Sequence, residues 1–89
     1  MKVRLEERLI QKLQLIKRKD PRLAKQIQKQ LKLFKENPKL KSLRVHKLSR
    51  KLKDTWSISI TKSIRMVYKI EGEEAYFFDL GTHDEVYKN

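Results

Sequence analysis

Two histidines, one mid-chain arginine and a tyrosine near the end are the residues whose chemistry could act together. His46 lies in Arg44-Val45-His46-Lys47-Leu48, and His83 in Gly81-Thr82-His83-Asp84-Glu85-Val86-Tyr87. An imidazole near neutral pKa can take or give a proton. Arg65 offers a planar fork of donors to a phosphorane-like transition state. Tyr87 can stack on a base or donate its hydroxyl. Such a set suits metal-free cleavage of a phosphodiester. Taken singly, each residue has a plainer reading. A histidine serves as a surface or capping group, Arg65 as a strand-face ion-pair partner, and Tyr87 as packing against a sheet.

The charge balance favours a polyanionic partner. Among 89 residues stand 23 Lys+Arg against 11 Asp+Glu, a formal net charge of +12. Such an excess attracts nucleic acid, because binding releases counterions condensed on the phosphates. Between Arg22 and Lys53 the only acid is Glu36, whereas Glu71 to Glu85 holds six. The basic surface is therefore expected from the middle of the chain. With no cysteine, disulfides and thiolate metal sites are excluded. No apolar run approaches the ~18 residues of a membrane span and no signal-like stretch opens the chain, so the expected place is the cytoplasm.

The elements that must position these groups fall into a helical half and a strand half. From Glu6 to Lys19, Leu9, Ile10, Leu13 and Ile16 share one helical face. Asp20-Pro21 breaks this helix and starts a second, with Leu23, Ile27, Leu31 and Phe34 on its apolar stripe. Asn37-Pro38 ends it.

Downstream the period changes to two. Trp56, Ile58 and Ile60 alternate with Ser57, Ser59 and Thr61, which predicts a strand with one buried face. Ile64, Met66, Tyr68 and Ile70 predict another, which places Arg65 on the side away from the helices. Glu71-Gly72-Glu73 turns into Ala75–Leu80. Leu43, Val45 and Leu48 suggest a short strand upstream, with His46 pointing away from the face Val45 buries, and Val3 and Leu5 an edge strand. The expected fold is α+β, one domain over 1–89: an N-terminal helical hairpin on one face of a small, twisted, mainly antiparallel sheet. Gly81 is expected to end the last strand by backbone freedom.

This order of features resembles the RelE/ParE superfamily of toxins from type II toxin–antitoxin systems, and its RelE and YafQ branches most. The likeness rests on the basic helical hairpin, His46-Lys47-Leu48, Trp56-Ser57-Ile58-Ser59-Ile60, Ile64-Arg65-Met66-Val67-Tyr68 and Gly81-Thr82-His83-Asp84-Glu85-Val86-Tyr87. The resemblance implies a microbial-RNase-like fold and a ribosome-dependent messenger RNA endoribonuclease that inhibits translation. It implies entry into the ribosomal A site, attack by the RNA's own 2′-hydroxyl without metal or cofactor, and a cognate antitoxin.

Carried over by position, His83 and His46 match the histidines of YafQ-like members, with His83 as general acid or base and His46 as its counterpart or a phosphate ligand. Arg65 matches the RelE-like arginine at the scissile phosphate, and Tyr87 the aromatic that orients a nucleotide. Lys47, Lys51, Lys53, Ser57 and Ser59 are the expected RNA contacts. The chain departs from both branches, because serines stand at Ser57, Ser59 and Ser63 where relatives carry lysine, histidine or aspartate. The rival readings are a ParE-like DNA gyrase poison and a non-catalytic ribosome or RNA binder.

Overall fold

The apolar stripes dictate two layers, and the computed structural model shows them. It describes residues 1–48 and 54–87, the last by its backbone alone. Strand β1 (Lys2–Leu5) leads into α1 (Glu7–Lys19) and α2 (Pro21–Glu36). A 3-10 turn (Lys41–Leu43) precedes β2 (His46–Lys47), β3 (Thr55–Ser59), β4 (Ile64–Glu71), β5 (Glu74–Thr82) and a short α3 (His83–Tyr87). The sheet runs β1-β5-β4-β3-β2 and is antiparallel except where β1 pairs in parallel with β5.

Helix boundaries follow from local hydrogen bonding. The Glu6 carboxylate caps α1 by accepting from the Arg8 and Leu9 amides at 2.9 and 3.2 Å. Asp20 closes α1, its amide donating to the Ile16 carbonyl at 2.7 Å. Its side chain then caps α2 at the Leu23 amide, 3.2 Å away, with Pro21 in the first turn. The tight junction makes the helices antiparallel and sends Leu9, Ile27 and Phe34 into the sheet. There Phe34 meets Tyr68 and Phe77 edge-on, with ring centroids 5.0 and 5.3 Å apart. Burial pushes the Tyr68 phenol up to about 12.

Two expectations need correction. Leu43 is not in a strand: it ends the 3-10 turn and is fully buried. Arg44 follows in the left-handed region at φ 46°, which breaks extended pairing and shortens β2 to two residues. The helix-free face of the sheet is also not bare. α3 folds back against β4 and β5, and Val67, which points away from α1 and α2, is 1% exposed.

Candidate active site

A β-bulge decides which residues share the helix-free face. Val67 pairs with Asp79 but Tyr68 pairs with Phe77, so Phe78 is an extra residue in β5. The extra residue lets Phe77 and Leu80 both reach the core despite their odd spacing. It also sets Gly81 opposite Arg65. Two rungs result on that face: His46–Ser57–Val67–Asp79, and Ser59–Arg65–Gly81.

His46 is exposed at one edge of the sheet. His83 follows the end of β5, beyond the second rung. Three strand spacings separate β2 from β5, roughly 14 Å at about 4.8 Å each. The two imidazoles therefore stem from elements three strand places apart, His46 from the edge strand β2 and His83 from the turn after β5.

Arg65 is on the expected face but is 8% exposed. Its Nε donates to the Ser57 hydroxyl at 2.7 Å, and its Nη2 donates to the Ser57 carbonyl at 3.2 Å and to the Arg44 carbonyl. The left-handed turn at Arg44 is what aims that carbonyl at the guanidinium. The fork thus reaches toward β2, away from His83. Ser57 is fully buried beneath it, so the expectation that Ser57 contacts RNA is corrected: its hydroxyl serves Arg65. Ser59 is half-buried and donates its hydroxyl to the Thr61 carbonyl at 2.9 Å, shaping the β3–β4 turn. Lys47 is exposed, its ammonium 5.9 Å from the Trp56 ring centroid. Lys51, Lys53 and the Tyr87 side chain lie outside the described residues.

The turn that carries His83 is closed by two reciprocal hydrogen bonds. The Glu85 carboxylate accepts from the Thr82 amide at 2.7 Å, and the Thr82 hydroxyl accepts from the Glu85 amide at 3.2 Å. This is a reciprocal capping box with Thr82 as the cap, so His83 takes the first position of α3. Its side chain is 69% exposed, with Nδ1 3.9 Å from the Asp84 carboxylate. A Cβ on Gly81 would meet the Glu85 side chain at 3.1 and 3.3 Å. Gly81 thus gives close clearance to the Glu85 side chain rather than backbone freedom; among the described glycines only Gly72 has positive φ. Lys12 of α1 donates to the Leu80 carbonyl at 2.6 Å, pinning the end of β5 from the other layer. The Thr-x-x-Glu spacing was open to reading as a helix start, and sequence reasoning passed over it.

The backbone hydrogen bond from Thr82, then its hydroxyl, hold the Glu85 carboxyl below the usual range, with the Lys12 charge adding a little. A depressed carboxyl stabilises the fold fully above its unfolded pKa and loses that contribution as pH falls through the folded value. The Thr82 amide resonance should therefore keep its bonded position when acid has passed about pH 4.3, where ordinary glutamates titrate. An amide that moves with the ordinary glutamates would contradict the box.

Comparison with known proteins places this architecture. The family model described as the bacterial toxin of type II toxin–antitoxin system, YafQ, matches residues 1–88. The chain belongs to the YafQ toxin family. No curated protein matches it. Among solved structures, the fold of this YafQ-family toxin resembles a YoeB/ParE toxin from Agrobacterium tumefaciens with TM-score 0.78 and 21% identity, covering 93% of this chain and 99% of that one. YafQ from E. coli strain BL21(DE3) gives TM-score 0.73 at 15% identity, with 96% of each chain covered. The E. coli DinJ–YafQ complex gives 0.66 at 16% identity, with 93% of each covered. The YafQ-family fold is thus the two-helix, five-strand arrangement described above.

Proposed function

We propose that this YafQ-family toxin is a ribosome-dependent endoribonuclease that cuts messenger RNA in the A site without a metal and so inhibits translation. The observation that carries the reading is His83, solvent-facing at the first position of α3 and anchored there by the Thr82–Glu85 box. In the proposed step the RNA 2′-oxygen bonds to the adjacent phosphorus and the bond to the 5′-oxygen breaks. His83 takes the 2′-proton or supplies the proton to the leaving 5′-oxygen. Products are a 2′,3′-cyclic phosphate and a free 5′-hydroxyl.

His46, across β3 and β4 from His83, is better placed to hold a flanking phosphate than to share the same proton transfer. Arg65 supports the strand edge and offers charge from within it. Exposed Lys47 adds charge for the RNA backbone. Tyr87, Lys51, Lys53 and the half-buried Ser59 complete the proposed RNA-contacting set.

A cognate antitoxin is the proposed protein partner, supported by the fold's likeness to YafQ solved with DinJ and to YoeB solved with YefM from Staphylococcus aureus. The proposed place of action is the cytoplasm; no helix among the described residues is long and apolar enough to cross a membrane. Primer extension on translated messenger after induction tests the whole reading. Breaks at fixed codon positions are expected. Supercoiling defects without breaks would instead identify a gyrase poison, and neither outcome a plain binder.

A further inference from the structure

The helix-free face is not the only place where cations gather. Because β2 pairs only with Trp56 and Ser57, the outer edge of β3 at Ile58 and Ser59 has no strand beside it among the described residues. Gln30 of α2, 6% exposed, reaches this edge and donates to the Ser59 carbonyl at 2.8 Å and the Ser42 carbonyl at 3.4 Å. Arg65 ties the same edge to the Arg44 carbonyl from the other side of the sheet. These tethers hold open a cleft of about 420 Å³ between α2, the 3-10 turn and the β3–β4 turn.

Lys29, Arg44, Lys62 and Arg65 all line this cleft, and no carboxylate among the described residues does. Lys29, Arg44 and Lys62 are exposed, whereas Arg65 is more than nine-tenths buried. The Arg65 Nε and Nη2 are occupied, and Nη1 donates to no group among the described residues. No buried polar side-chain atom among these residues lacks a partner, so Nη1 is open to solvent rather than sealed. A guanidinium held by Ser57 and Arg44, with three exposed cations about it, matches a tetrahedral oxyanion with two or more free oxygens. Arg44 adopts a left-handed backbone that an arginine rarely takes, a local cost that the arrangement retains.

We infer that this cleft is a binding subsite for a backbone phosphate of single-stranded RNA, at the β3 edge between α2 and the 3-10 turn and separate from the His83 turn. The inference rests on the nuclease reading for its choice of RNA. It adds a path: one phosphate seats at Lys29, Lys62 and Arg65, and the strand continues around the edge past His46 onto the helix-free face. Charge in the cleft then contributes affinity and register, not proton transfer.

The test uses binding, not turnover. A 2′-deoxy single strand, which has no 2′-hydroxyl to attack, is titrated against the full chain across a salt series. Lys29→Ala with Lys62→Ala should weaken binding about tenfold and lower the slope of log K against log salt by about 1.4, some 0.7 for each lost contact. Arg18→Ala with Lys19→Ala removes the same charge from the end of α1 and should cost under threefold. Equal losses from the two pairs would overturn the inference, as would tighter binding of an acidic peptide than of the strand at this cleft.

Inorganic phosphate should shift the Arg44, Ser59 and Lys62 amide resonances saturably; a linear drift also overturns it. Cleavage assays report separately on the nuclease reading. Loss of codon-positioned breaks with an intact cleft would defeat that reading alone, and intact breaks with an empty cleft would defeat this one alone.

Discussion

His83→Ala should lower messenger cleavage at least ~100-fold, the usual scale for a lost general acid or base, while the thermal midpoint stays unchanged. The expectation follows from placement. The imidazole is mostly in solvent and lies outside the apolar core, so its removal opens no cavity. The capping box that fixes its position is made by Thr82 and Glu85 and survives the substitution. His46→Ala should act differently, weakening RNA binding with less than about tenfold loss of rate at saturation. Unchanged cleavage in the His83 variant would remove that residue from the site. Equal losses of rate in both variants would mean that the two imidazoles act in the same step.

Arg65→Met should cost about 3 kcal/mol of stability, read by urea or thermal unfolding, and lower the midpoint by roughly 12–24 °C for a chain of this size. Methionine keeps most of the packing but loses the bonds that the guanidinium donates to the Ser57 hydroxyl, the Ser57 carbonyl and the Arg44 carbonyl. Hydrogen bonds to a charged group contribute about 1.5–3 kcal/mol each, and the sum is reduced by the desolvation the guanidinium no longer bears. Ser57→Ala removes only one of the three acceptors and should cost less than half as much. A loss under about 1 kcal/mol for Arg65→Met would show that water replaces the guanidinium freely, and that Arg65 is not the clamp of the β3 edge.

The helical hairpin was legible because its information is local. Asp20-Pro21 both stops one helix and starts the next, and Leu9, Ile27 and Phe34 repeat at the helical period that takes them to the core. The strands announced themselves by alternation, and that alternation put His46, Ser57, Ser59 and Arg65 on the correct face. What alternation does not convey is depth. Ser57 and Arg65 bury one another across neighbouring strands, a long-range pairing that no spacing within either segment encodes. The same holds for the lateral distance between the histidines, which depends on strand order. α3 is five residues long and too short to show a period. Its start was nevertheless written in Thr82 and Glu85. The cleft at the β3 edge draws Lys29 from a helix, Arg44 from a turn and Lys62 from a hairpin, and became visible only when those three elements met.

The extra residue at Phe78 makes β5 tolerant of a change in length. Losing one residue between Phe77 and Leu80 would cancel the bulge and restore plain alternation, with Leu80 still opposite Met66 in the core and Gly81 still opposite Arg65. What would go is the local bend and added twist that a bulge gives its strand. The direction in which the imidazole-bearing tail departs is therefore tunable by one residue without exchanging the two surfaces of the sheet.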